Sequence, residues 1–151
     1  MANTQAMTTS FKGELLTATH NFGVAPVRAA TTADTFKAAL YLTTATINAA
    51  TTAYTATGEV TGTNYTAGGV TVTNATPPAT SGTTAYWTPS ASITYTNVTL
   101  TTAFDAVLIY NSTQSNKAVS VHTFGSQVVT AGTFTLTMPT NDASTGLIRI
   151  A

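Results

Sequence analysis

The chain has 151 residues, a one-domain length that can bury a sizeable core without staples. Threonine supplies 38 residues and alanine 25, while Lys and Arg together number five, Asp and Glu five, His two and Cys none. The zero formal net charge leaves no field for nucleic-acid phosphate, the missing Cys excludes disulfides and thiolate metal sites, and so few acids, bases and nucleophiles argue against catalysis.

Residues 1–10 are small and polar and read as a flexible arm. There is no basic stretch followed by an apolar run, so no signal peptide is expected. Residues 11–22 are the only segment with helical spacing, with Phe11, Leu15, Leu16 and Phe22 near one face and Ser10 as N-cap. Gly13 weakens that helix, Gly23 can end it and Pro26 follows. An extended arm that docks Phe11, Leu15 and Leu16 into a neighbour fits the same residues equally well.

From Asp34 onward the period is two. Residues 35–47 alternate Phe36, Ala38, Leu40 and Leu42 against Lys37, Ala39, Tyr41 and Thr43, which predicts an apolar face and an amphipathic one. Short strands follow over 69–73, 84–88 and 92–100, the last with an irregularity at Asn97. Residues 103–110 are apolar on both faces apart from Asp105 and predict a central strand. Strands over 118–124, 133–138 and 147–151 complete the set.

The loop 75–82 holds Pro77 and Pro78, which lack amide donors and cannot continue a strand. Gly125-Ser126 and Ala131-Gly132 suit hairpin turns. The pattern indicates an all-β fold, a single antiparallel β-sandwich or jelly-roll-like domain over 31–151, with 1–30 as an arm or short helix. A small barrel fits the same spacing. No stretch approaches 18 apolar residues, so no membrane span is expected.

Threonine explains the low charge: its β-branched shape suits strands and its hydroxyl wets a face without charge. Charge is also the usual guard against edge-to-edge strand pairing. Edges this sparsely guarded are expected to be paired or covered in the working state.

The chemistry-bearing residues have plain readings. His20 and His122 lie far apart without a metal-ligand pattern, and His122 reads as a hydrogen-bonded sheet residue. Asp105 in an apolar strand calls for a partner, with Arg28, Lys37 or Arg149 the candidates. The loop 58–69 (GEVTGTNYTAGG) is no phosphate loop and reads as a surface or contact loop. Asn64, Asn74, Asn97 and Asn111 begin Asn-x-Ser/Thr triplets, about what chance gives at this Ser/Thr content. Tyr86 and Trp87 beside Pro89 form the sharpest contact candidate, although both also fit as core. No catalytic residue, metal ligand or cofactor site is assigned.

The segments TADTFKAALYL, TTAYTATGEVTGTNYTAGGVTVTN, AFDAVLIYN, VHTFG and TFTLTMP…LIRIA, in that order over about residues 31–151, resemble a family of small structural proteins of tailed-bacteriophage virions. The resemblance implies a β-sandwich component of the particle without catalytic residues. The first expectation is a head decoration or cement protein that self-associates and clamps major capsid protein subunits through Phe11, Leu15 and Leu16. Deleting residues 1–16 is then expected to abolish particle binding and leave the β-fold intact. A neck, tail or fibre-base adaptor is the alternative. A receptor- or glycan-binding module, with Tyr54, Tyr65, Tyr86 and Trp87 as the platform, is the second. Partners are expected to be other virion proteins and further copies of this chain, not nucleic acid or membrane.

Overall fold

Alternating apolar and polar residues can bury only one face of a strand, so such strands must stack in layers. A computed structural model describes residues 3–16, 19, 20, 22, 33–73 and 76–151, with only the backbone for Lys12, Gly13 and Leu16. Among the described residues the chain forms β1 (Ala6–Met7), α1 (Thr9–Leu16), β2 (Phe36–Leu42), β3 (Val70–Thr71), β4 (Ala79–Ser81), β5 (Thr84–Trp87), β6 (Ile93–Asn111), β7 (Lys117–Leu136) and β8 (Ile148–Ile150). A five-stranded sheet runs β1-β7-β6-β2-β3, and a three-stranded sheet runs β4-β5-β8. All pairings are antiparallel. The two sheets pack face to face as a β-sandwich, with Phe36, Leu40, Phe104, Val107 and Ile109 of the large sheet meeting Trp87 and Ile148 of the small one.

The large sheet is also covered on its other face. Ala39 and Tyr41 of β2 and Ala106, Leu108 and Tyr110 of β6 join Ala45, Ile47 and Tyr54 in a second apolar cluster. The segment after β2 folds back over the sheet, so the middle of the face of β2 expected to be amphipathic is buried, with Ala39 and Tyr41 fully enclosed and Lys37 and Thr43 half-buried at its ends. Tyr41 fits there because its hydroxyl donates to the Thr55 carbonyl at 2.5 Å.

The strands expected over 92–100 and 103–110 are one strand, β6, of 19 residues. Those expected over 118–124 and 133–138 are likewise one strand, β7, of 20 residues. The hairpin turns expected at Gly125-Ser126 and Ala131-Gly132 are absent. Surplus residues are absorbed as shifts in the β6–β7 register, with Asn97 at φ 52° and Ala131 at φ 45°. A bulge takes up such residues while the ladder continues. The resulting ribbon is roughly 60 Å long. The irregularity expected at Asn97 is one of these bulges.

β4 starts directly after Pro78. It is an outer strand of the small sheet, where the missing donors of Pro77 and Pro78 fall outside the ladder. Gly82, at φ 58°, lies in the two-residue turn joining β4 to β5.

Residues 3–16 are part of the domain and not a free arm. Ala6 and Met7 pair with Val121 and Ser120 of β7. The helix cap is Thr8 rather than Ser10: the Phe11 amide donates to Thr8 Oγ1 at 3.4 Å, the bond an N-cap makes to the third helical residue. Thr8 can do this from a fully buried position because its hydroxyl also donates to backbone carbonyls of β7.

Candidate functional site

Glu59 is the one acidic residue of its loop, and the structure buries it at 7% exposure. Tyr54 Oη donates to Glu59 Oε2 at 2.7 Å, while Tyr65 Oη and the Gly68 amide donate to Oε1 at 2.7 Å each. Three donors on one carboxylate compensate its removal from water. Tyr65 Oη also accepts from the Leu40 amide at 3.0 Å, which ties the loop to β2. Tyr54 stacks on Tyr110 and Tyr65 on Tyr95, with centroids 4.8 and 5.9 Å apart. Burial, reinforced by the Glu59 hydrogen bond, pushes the Tyr54 phenol up to about 12 and raises that of Tyr65 further. Both phenols are therefore fixed hydrogen-bond donors. The loop is a folded clasp on the sheet: Glu59, Val60, Gly68 and Gly69 are buried, residues 61–64, 66 and 67 are exposed, and Tyr54 and Tyr65 are half-buried with their hydroxyls held on Glu59. Gly69 lets the clasp close: at φ 73°, a Cβ there would stand 1.7 Å from the Ala38 carbonyl oxygen.

A second polar group joins the helix to the end of the large sheet. Glu14 accepts from Lys117 Nζ through one oxygen and faces His20 Nε2 at 2.7 Å through the other. His20 Nδ1 lies 3.1 Å from Asn111 Nδ2, which also donates to Asp34 Oδ2 at 2.8 Å. Asn111 Oδ1 accepts from the amides of Thr113 and Gln114, so the amide nitrogen faces the histidine. Nδ1 must then accept, and Nε2 carries the proton donated to Glu14. The neutral ring satisfies every contact, whereas a second proton would set donor against donor. Burial lowers the His20 pKa and outweighs the attraction of Glu14 and Asp34. Burial works against the Glu14 carboxylate, yet Lys117 and His20 hold its pKa below the usual value.

His122 lies on β7, where its Nε2 is hydrogen-bonded with Ser120 Oγ at 2.9 Å. This fits its expected place as a hydrogen-bonded sheet residue. The pair has the look of a nucleophile and its base, but Ser120 is 2% exposed and occupies a continuous strand. Burial pushes the His122 imidazole down to about 4. Both histidines thus hold fewer protons folded than unfolded, so their contribution to stability is complete above about pH 6.5 and is lost as pH falls from there towards 4. The His122 share is at most about 3 kcal/mol. Thermal melts are expected to fall steeply between pH 7 and 4, and His122→Gln is expected to flatten much of that slope. An unchanged slope in the variant would show that His122 is not the group responsible.

Four of the residues singled out from sequence surround one apolar hollow of about 220 Å³: Phe11, Leu15, Tyr86 and Trp87, with Ile148 and Ile150. Phe11 and Trp87 are core side chains at 1% and 2% exposure. Phe11 packs edge-on against His20 and Phe22, and Trp87 Nε1 donates to the Thr76 carbonyl at 3.0 Å. Phe11 is consumed within its own domain and is not free to clamp a neighbour. Leu15 and Tyr86 are half-buried at the rim. The Leu16 side chain, Arg28 and Asn74 lie outside the described residues. Asp105 takes its hydrogen bond from Asn3 Nδ2, at 2.6 Å, rather than from Lys37 or Arg149.

A second hollow is a trough of about 620 Å³ beneath the outer part of β6 and β7, walled by Ile93, Phe124, Phe134, Leu136, Met138 and Leu147. The small sheet stops short of the long ribbon here, leaving half-buried Phe124, Phe134, Leu136 and Met138 along the margin. The alternation over 133–138 orients Phe134, Leu136 and Met138 inward but does not reveal the trough, because it depends on one sheet outrunning the other. Sequence reasoning also missed Glu59; its only signal was a lone acid between Tyr54 and Tyr65, just before Gly68-Gly69. Among the described residues no three His, Cys, Asp or Glu side chains are grouped to hold a metal ion. Compared with protein-family models, curated proteins and solved structures, the chain matches none.

Proposed function

We propose that this chain is a non-enzymatic structural subunit of a tailed-phage virion, and specifically a head decoration protein that binds and stabilises the capsid lattice. The supporting observation is how its few ionisable side chains are used. Glu59, Glu14, His20, Asp34 and His122 are committed to internal hydrogen bonds, while the outer part of the longest hairpin presents threonine. A surface of this kind suits dry, repeated contacts better than substrate turnover. The resemblance over residues 31–151 points the same way.

The mechanism is surface burial multiplied by symmetry. A contact of about 1,600 Å² gives a specific interface, and one subunit touching several neighbours gains by effective concentration. Because Phe11 fills the subunit's own core, the contact falls to exposed strand surfaces rather than to an inserted arm. Mass spectrometry of purified virions is the test: the chain is expected to co-purify at a fixed ratio to the major capsid protein. Its absence from particles that are otherwise complete would overturn the proposal.

A further inference from the structure

The outer edge of β7 is the longest unpaired strand edge among the described residues. β1 covers it only at Ser120 and Val121, and no described strand pairs with it from His122 to Leu136. Between Lys117 and Asp142 the chain carries no Asp, Glu, Lys or Arg, so the usual charged guard is missing. Part of the edge is guarded in another way. Register shifts around Gln127 and Val129, and the φ of 45° at Ala131, twist residues 124–132 away from a flat ladder. Beyond them the register is regular, with Tyr95 opposite Phe134, Thr94 opposite Thr135 and Ile93 opposite Leu136.

The residues that follow the bulges read Thr133-Phe134-Thr135-Leu136-Thr137. This segment is nearly palindromic about Thr135. Its threonines are exposed, while Phe134 and Leu136 point to the trough and are only half-buried. We propose that two copies of this chain pair edge to edge here, antiparallel, about a two-fold axis at Thr135.

That register sets Thr135 against Thr135 of the second copy, and Thr133 against Thr137, on the outer face. On the inner face it sets Phe134 against Leu136 twice, so each copy supplies cover for the other's trough margin. Threonine–threonine and aromatic–aliphatic pairs are favourable cross-strand neighbours, and no like charges meet. A two-fold pairing of identical surfaces is also the commonest symmetric association. The pairing is shorter than the roughly 1,200 Å² of a stable interface requires, so a single pair is weak and is reinforced where copies are held side by side. The inference concerns the isolated chain and stands whether or not the virion proposal holds.

The chain has no Cys, so a single introduced thiol reports the contact cleanly. Directly opposed strand residues lie within disulfide reach. Under mild oxidation the Thr135→Cys variant is expected to form disulfide dimers about tenfold or more faster than Thr101→Cys, an exposed position on β6, because pairing raises the local thiol concentration. Light scattering of concentrated protein is expected to detect dimer in the natural chain and none in Thr135→Lys, with unchanged melting temperature. Equal cross-linking of the two Cys variants overturns the proposal. So does an unaltered dimer in Thr135→Lys. If Thr135→Lys melts early, the Cys comparison decides alone.

Discussion

Deleting residues 1–16 is expected to unfold the domain rather than trim it. Phe11 is 1% exposed within the inter-sheet core, and Met7 and Leu15 pack against that core. Truncating a buried Phe to Ala costs about 3–5 kcal/mol, and losing a helix cap such as Thr8 adds about 1. The deletion also takes Glu14 from Lys117 and His20, and the β1 pairing from β7. Together these losses are comparable to the whole stability of an ordinary domain, roughly 5–15 kcal/mol. Chemical denaturation is the check: Phe11→Ala is expected to lower the unfolding free energy by about 3–5 kcal/mol, and the deletion to abolish the cooperative transition. A deletion variant with the full-length midpoint would mean that residues 3–16 are an appendage after all.

Glu59 supports the second large effect. In Glu59→Ala the Tyr54 and Tyr65 hydroxyls and the Gly68 amide lose their acceptor together. An orphaned buried donor costs about 1–3 kcal/mol, so a loss of about 3 kcal/mol or more is expected. Glu59→Gln is the informative companion. Its side-chain oxygen can still serve Tyr65 and Gly68, and only the Tyr54 contact must reverse, so about 1 kcal/mol is expected. Equal losses in the two variants would show that volume, not hydrogen bonding, holds the clasp.

Local alternation was enough to locate β2, β5 and β8 and to orient Phe134, Leu136 and Met138 inward, because strand faces are set by nearest neighbours. Two kinds of feature lay beyond it. Gly125, Ala131 and Gly132 carry the same local signature whether a chain turns or bulges, and only the pairing of β6 with β7 over their whole length decides. Burial of Tyr41 and Glu59 depends on a segment returning over the sheet from later in the sequence. Thr8 was missed as a cap for a simpler reason: Thr8, Thr9 and Ser10 are all good caps, and the partner of β1 decides which one is used. Phe11, expected to dock into a neighbour, is spent on the domain's own core, while Tyr54 and Tyr65 are half-buried with their hydroxyls held on Glu59. Aromatic residues that look available for partners are as easily spent on a domain's own core when polar groups such as Glu59 can satisfy their hydroxyls.

The most direct test of the structural-subunit account is the number of copies per particle, measured by quantitative mass spectrometry of purified virions against the major capsid protein. The account predicts hundreds of copies in a simple ratio to the head lattice. Six, twelve or a few dozen copies would contradict the decoration role and move the chain to the neck, tail tip or fibres, and none at all would contradict the virion account itself.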